Sequence, residues 1–411
     1  MAMTQRTLYK TIEKIGSGMY ESEEAMMIAI LQEIVTNDRI NIIGGRIWKL
    51  QAEANSYRLI YEQGTIQPVG IGFEIALKDY SVFDEVARKR TVLADETNRT
   101  LRRKGIQRYS ATGMGKTARV GRMDYYEYLM AFNTVESGAE LRYTMNIAGQ
   151  AVTQLLEKRR TDAEKRILET EIEHAADLQR QILPEHEYNF GRFEFYGISM
   201  PERTVGGDFF NYYNSPGNED RVGVAVGDAA SKGMPAAVQA LFVSGALMMS
   251  VEYESKISSA IRRINTINRK IFPDDRLLSL FYCEVFDAKD GLILYANAGH
   301  PAPIHYHAAT QTCSTLTVTG PIIGLIPDAT FSVASLLLAK NDILLLYTDG
   351  ITEANDGAVE YGEERLADKL AANAMKPPKI ICAEIIQDAQ AFGVNGVYSD
   401  DKTVVVIKRT R

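Results

Sequence analysis

Apolar residues recur at helical spacing from residue 20 to 36, where Met26, Met27, Ile30, Leu31 and Ile34 share one face. Shorter apolar runs at 39–50 and 57–61, punctuated by Gly64, Gly70 and Gly72, predict strands joined by turns. The spacing of Val82, Val86 and Ala87 predicts a short helix over 81–90. The run 125–132 predicts a strand, and 139–158 a long helix. Helix, strands, short helix, strands and a closing helix predict an α+β domain over residues 1–154.

The next stretch, 155–187, is highly charged. Lys158, Arg159 and Arg160 open it, and Glu164, Lys165, Arg166, Glu169, Glu171 and Glu173 decorate it. Leu168, Ile172, Ala175, Leu178 or Gln179, and Ile182 return every three to four residues. This predicts a helical linker with a short coiled-coil seam, and hence a homodimer through it. The bland alternative is one amphipathic helix packed on its own domain. Pro184 stops the helix.

From residue 188 to 411 the pattern changes. Strand-like runs at 193–200, 221–228, 278–287, 292–296, 342–348 and 403–408 are interrupted by helical blocks at 235–252 with 258–271, and at 365–392. Helices grouped between sets of strands predict an α/β sandwich rather than a repeated βαβ order.

Composition narrows the reading. With 45 % hydrophobic and 24 % charged residues the chain is globular, and a net charge of −7 argues against a nucleic-acid surface. Cys283, Cys313 and Cys382 make no disulfide framework and no zinc spacing, so a reducing compartment is expected. The first residues lack the apolar core of a signal peptide, and no run reaches the roughly 18 apolar residues of a membrane span. The expectation is a cytoplasmic protein that binds neither membrane nor nucleic acid.

Four aspartates carry the chemistry. Asp208 follows Gly206-Gly207, where the backbone can turn tightly. Asp228 follows Val222, Val224 and Val226. Asp349 follows Leu344, Leu345 and Leu346, and Asp400 precedes the last strand. Carboxylates gathered at strand ends repel one another, and some hold a proton unless a cation intervenes. Mg²⁺ or Mn²⁺ suits an all-oxygen site, and two such ions can activate water against phosphorus. Each aspartate also has a plain reading as a turn residue, a strand end or a helix cap.

Thr112-Gly113-Met114-Gly115-Lys116-Thr117 ends like a phosphate-binding P-loop, but Ser110 stands where that pattern needs glycine. A glycine-rich loop with local positive charge is expected there. His174, His186, His305 and His307 show no metal-ligand spacing, and the last two are expected at the surface of one strand.

Residues 176–407 resemble, motif by motif and in order, the SpoIIE-like branch of the PPM-type metal-dependent serine/threonine phosphatases. The segments that carry this are Leu178-Gln179-Arg180-Gln181-Ile182-Leu183-Pro184, Arg203-Thr204-Val205-Gly206-Gly207-Asp208-Phe209, and Val226-Gly227-Asp228 with Lys232-Gly233-Met234-Pro235. Asn297-Ala298-Gly299-His300-Pro301, Gly320-Pro321-Ile322-Ile323-Gly324, Thr348-Asp349-Gly350 and Asp400-Asp401-Lys402-Thr403 follow. The resemblance implies an αββα sandwich and two Mn²⁺ or Mg²⁺ ions. Asp228 would bridge them with help from the Ala229 carbonyl. Asp349 and Asp400 would hold one ion, and Asp208 the other, directly or through water. Arg203 would clamp the substrate phosphate, with a surface salt bridge as its plain reading. For His300, orienting its turn is expected over proton donation. One departure stands out: Ala229-Ala230-Ser231 replaces the family's Val-Ser-Gly, so the backbone at Ser231 is expected to be restricted.

The segment from Ile75-Ala76-Leu77 through Val82-Phe83-Asp84-Glu85-Val86 to Thr91-Val92-Leu93-Ala94-Asp95 resembles a GAF sensor domain. Its ligand is unknown, and an unrelated dimerisation domain is the alternative. Together the resemblances imply a phosphoserine/phosphothreonine phosphatase gated by a sensor, acting on a phosphorylated STAS-type anti-sigma-factor antagonist in partner switching. The alternative is a catalytically silent adaptor that binds a phosphoprotein. A nucleotide-binding or cyclising enzyme is a third reading, for which the P-loop and cyclase signatures are missing.

Overall fold

The computed structural model describes residues 5–36, 42–96, 99–103, 108–134, 139–215, 218–253, 256–273, 275–393 and 400–411. The start of the strand expected from residue 39, and Ser399, lie outside them. The chain divides into two units, Met1–Ile167 and Leu168–Arg411.

In the first unit, β1 (Ile42–Gln51), β2 (Ser56–Gly64), β3 (Glu74–Ala76), β4 (Thr91–Asp95), β5 (Arg108–Val120) and β6 (Met123–Thr134) make one antiparallel sheet. Its order is β3-β2-β1-β6-β5-β4. Neighbouring residues point to opposite faces. Ile47 and Met130 therefore pack against α1 (Gln5–Gly16), α2 (Glu23–Thr36) and the start of α5 (Ala139–Ile182). Trp48 and Leu129 pack on the other side, against α3 (Val82–Lys89) and Leu101 of α4 (Arg99–Arg103). The helix α1 has no counterpart in the sequence reading.

The P-loop-like hexapeptide corrects an expectation, because Thr112 to Thr117 lie inside β5 rather than in a loop. The strand bulges between Met114 and Thr117, where Gly115 takes φ +76°. Gly113 is small because a Cβ there would sit 2.2 Å from the Tyr126 ring. Its glycines serve packing, not phosphate.

The expected linker is the second half of the 44-residue helix α5. Residues 161–171 are all exposed, Ile167 and Leu168 included. The helix ends at Ile182, two residues before Pro184, as the missing N–H of proline requires.

The second unit is a four-layer sandwich. One sheet holds β9 (Phe209–Ser215), β10 (Asn218–Ala229), β11 (Leu278–Phe286), β12 (Leu292–Ala298) and β15 (Ala334–Leu337). The other holds β7 (Glu187–Phe190), β8 (Phe193–Met200), β13 (Ile304–His307), β14 (Thr312–Thr315), β16 (Ile343–Tyr347) and β17 (Lys402–Arg409). Phe195, Phe210, Val224, Phe281, Leu344 and Val405 fill the space between the sheets. On the outer faces, α6 (Met234–Glu252) and α7 (Ile257–Ile271) cover the first sheet. The second is covered by α9 (Gly362–Asn373) and α10 (Pro378–Phe392).

Two expectations need correction here. The helix α6 is long and apolar enough to cross a membrane, but Ala236, Ala240, Val243 and Leu247 on its inner side belong to the domain core. His305 is not at the surface. It is 3 % exposed because its face of β13 turns inward, where its Nε2 lies 3.0 Å from Asp342 Oδ2.

Candidate active site

The aspartates meet at one end of the sandwich. Asp228 is the penultimate residue of β10 and pairs with Ser279 across β11. On the other sheet, β16 and β17 run antiparallel with Tyr347 opposite Val404. Asp349, which opens the short helix α8 (Asp349–Thr352), and Asp400, just before β17, are thereby brought to the same end. A cavity of about 520 Å³ opens between them, walled by Asp228, Asp349, Asp400, Asp401, Lys232 and His300 among others.

The four aspartates do not occupy equivalent places. Asp208, 4 % exposed, is not on the cavity wall; it lies behind, where Thr348 Oγ1 donates to its Oδ2 at 2.7 Å. Burial, then the charge of Asp228, raise its pKa well above the carboxylate range. Asp228 is pushed up to about 7, by burial first and then by Asp349 and Asp400. Asp349 is raised by burial and by Asp400. These are carboxylates whose negative charges stand against one another in a poorly solvated place, which is the environment a divalent cation relieves.

The loop 201–208 is held from two sides. The Asp401 carboxylate accepts the backbone N–H groups of Glu202 (2.7 Å), Gly207 (2.6 Å) and Asp208 (3.3 Å). A Cβ on Gly206 would lie 2.5 Å from that carboxylate, so this position leaves no room for a side chain. From the other side, the last turns of α5 reach the loop. Gln179 donates to the Gly206 carbonyl at 2.8 Å and accepts the Gly206 N–H at 3.3 Å, while Ala176 packs with Val205 and Ala237. Sequence reasoning missed the roles of Asp401, Gln179 and Thr348. The doubled aspartate at 400–401 was the available signal for the first.

Arg203 is exposed on this loop and is not among the residues lining the cavity. The Ala229 carbonyl accepts the Ser231 N–H at 2.6 Å in a tight turn, which leaves it a second lone pair. Ser231 does not take a positive φ; the left-handed residue of this loop is Gly233, at φ +72°. The departure from glycine at Ser231 therefore carries no backbone strain.

His300 is a wall residue with a structural job. Asn297 accepts the His300 N–H at 2.8 Å and donates to its carbonyl at 2.9 Å, and Ser279 Oγ lies 2.8 Å from His300 Nδ1. Burial lowers its pKa to about 3, so the ring is neutral near pH 7 and has no spare proton to give. His305, His307 and Asp342 bring three ligand atoms within 4.8 Å of one another. They sit at the opposite end of β16, and the Asp342 oxygens already accept the N–H groups of Ala308 and Ala339, so this group ties loops together.

Comparison with known proteins matches this domain. The model of the Stage II sporulation protein E (SpoIIE) family matches residues 218–410. The chain is 26 % identical over 267 residues to Protein IcfG of Synechocystis sp., covering 58 % of this chain and 41 % of IcfG. It is 23 % identical over 246 residues to the phosphoserine phosphatase RsbU of Bacillus subtilis, covering 59 % of this chain and 71 % of RsbU. The chain thus spans less than half of the longer of these two relatives. Among solved structures, the SiaA-PP2C domain of Pseudomonas aeruginosa superposes with a TM-score of 0.51 at 19 % identity, covering 59 % of this chain and 97 % of that one, a likeness of fold.

Proposed function

We propose that the C-terminal domain is a SpoIIE-like, PP2C-type serine/threonine phosphatase, and that this chain hydrolyses phosphoserine or phosphothreonine in a protein substrate. The observation that carries the proposal is the cavity wall of Asp228, Asp349 and Asp400, with burial and mutual repulsion raising Asp228 and Asp349. Two Mn²⁺ or Mg²⁺ ions fit that donor set. When bound, such ions lower the pKa of water and neutralise charge on the phosphoryl group.

The residues of the chain then do the following. Asp228, with the Ala229 carbonyl, would be the ligand common to the ions. Asp349 and Asp400 would help to hold one of them, and Asp208, oriented by Thr348, would hold the other directly or through water. Arg203, exposed at the rim loop, meets the phosphate with its planar fork. His300 keeps the Asn297 turn in place as a neutral ring. The substrate proposed is a phosphorylated STAS-type antagonist of an anti-sigma factor, in a cytoplasmic partner-switching pathway. RsbU, named a phosphoserine phosphatase, supports the chemistry.

The first unit is proposed to be a GAF-like sensor. Its six-stranded antiparallel sheet with helices on both faces supports this. The exposed Ile167, Leu168, Leu178 and Ile182 on α5 support pairing with the same helix of a second copy. Because Gln179 grips the loop that carries Asp208, movement of that helix has a direct route to the site.

The test is phosphate release from a phosphoserine protein by the full-length chain, with and without Mn²⁺, beside Asp228→Asn. Metal-dependent turnover that vanishes in the variant is expected. Turnover that survives it with normal metal dependence would sink the site assignment, and metal binding without turnover on any phosphoprotein would favour the adaptor.

A further inference from the structure

Among the described residues lining the cavity, Lys232 is the lysine or arginine, and it points its ammonium at a proposed metal ligand. Its Nζ lies 3.2 Å from Asp400 Oδ2 and 3.3 Å from Glu202 Oε2. A cation already sits at the carboxylate that the metal would need. Two positive charges cannot share one carboxylate oxygen without repulsion, so metal and ammonium compete for Asp400.

The surroundings allow the lysine to yield. Its side chain is 39 % exposed, so it is not locked by packing. Glu202 offers a second seat on the solvent side, and its own N–H is fixed by Asp401 at 2.7 Å. Gly233 follows with φ +72° and no atom within 4 Å of where a Cβ would stand, so the backbone beside Lys232 is in open space.

We propose that Lys232 is an internal counter-ion that competes with the divalent metal for Asp400 and shifts to Glu202 when the metal binds, so that it sets metal affinity rather than taking part in the chemistry. The proposal rests on the assignment of Asp400 as a metal ligand. It makes metal occupancy adjustable: whatever strengthens the Lys232–Glu202 pair favours loading, and whatever weakens it favours the metal-free state.

The experiment is calorimetric titration of the full-length protein with Mn²⁺, in the absence of substrate. Lys232→Met is expected to bind Mn²⁺ about two- to fivefold more tightly than wild type, the range of a partly exposed ion pair. Lys232→Arg, which keeps the charge, should stay near wild type. Glu202→Gln should weaken binding, and by less in the Lys232→Met background than alone. Circular dichroism checks that each variant is folded. Unchanged or weaker Mn²⁺ binding in folded Lys232→Met would overturn the proposal, as would equal effects of Glu202→Gln in both backgrounds. Asp349→Asn separates the two ideas: if it binds Mn²⁺ like wild type, the site assignment itself has failed, whereas if it loses binding while Lys232→Met changes nothing, only the counter-ion role has failed.

Discussion

Two buried charged groups in this molecule are treated in opposite ways. In the first unit, Arg46 is 2 % exposed and almost fully matched. It donates to Asn133 Oδ1 at 2.6 Å and to the Gln67 carbonyl at 3.0 Å, and it pairs with Glu62 at 3.3 Å. In the second unit, buried Asp208 and half-buried Asp228 stand against one another, with Asp349 and Asp400 adding more negative charge. Partners spare a buried charge the cost of standing unpaired, while a buried cluster of like charge weakens a fold. The second arrangement makes sense only if something positive completes it. A local defect in stability, rather than a well-satisfied network, marks the candidate site.

The largest effect is expected at Asp228. Asp228→Asn should lower metal-dependent phosphate release by about 1,000-fold, equivalent to about 4 kcal/mol of barrier, with the fold retained. Steady-state rates at saturating Mn²⁺ check it. Next comes the satisfied charge. Arg46→Met leaves Glu62 and Asn133 without their partner and should destabilise the first unit by about 3 kcal/mol, read by chemical denaturation, with little effect on metal affinity. If the two variants exchanged these phenotypes, the contrast would be wrong.

Gln179→Ala removes the grip of α5 on Gly206. A roughly tenfold loss in activity or metal affinity is expected, as for other groups that orient ligands at one remove. A smaller effect should appear in stability against pH when metal is chelated. The folded Asp228 pKa is about 7, above the ordinary value of about 3.9, so between those values the folded state binds the extra proton. Its contribution to stability is greatest at low pH and is lost as pH rises through 7. Asp228→Asn should therefore gain on wild type as pH rises from about 4 to 7 in chelator, and lose that advantage when Mn²⁺ saturates the wild type. Denaturation midpoints across that range check the sign. The smallest effect is at Ser231. With no positive φ to relieve, Ser231→Gly should change kcat/KM less than about threefold, within the surface-substitution range.

Much of this was legible in the residues. The strand 193–200 was read to the residue, and 278–287 and 403–408 to within one or two positions at their ends. Runs of buried β-branched and aromatic residues bounded by turns leave little ambiguity. The strand β9 was missed because Phe209 to Ser215 follows the Gly206-Gly207 motif directly and reads as its continuation. Strands β13, β14 and β15 have four residues each, too short for a period to show. The two glycines and three polar residues at 112–117 pointed to a loop, because glycine signals flexibility in sequence even where, as at Gly113, it only makes room for Tyr126.

The kinds of element, the order of the motifs and the four aspartates at strand ends follow from local periodicity and residue chemistry. Tertiary structure alone decided their ranks: Asp208 behind the wall and Asp228, Asp349 and Asp400 on it. It alone brought Asp401 and Gln179 onto the Gly206–Gly207 backbone and Lys232 to Asp400. The reason is physical. Burial, repulsion and hydrogen bonding depend on distances between groups far apart in the chain, 199 residues for Asp401 and Glu202, and such distances exist only once the two sheets have packed.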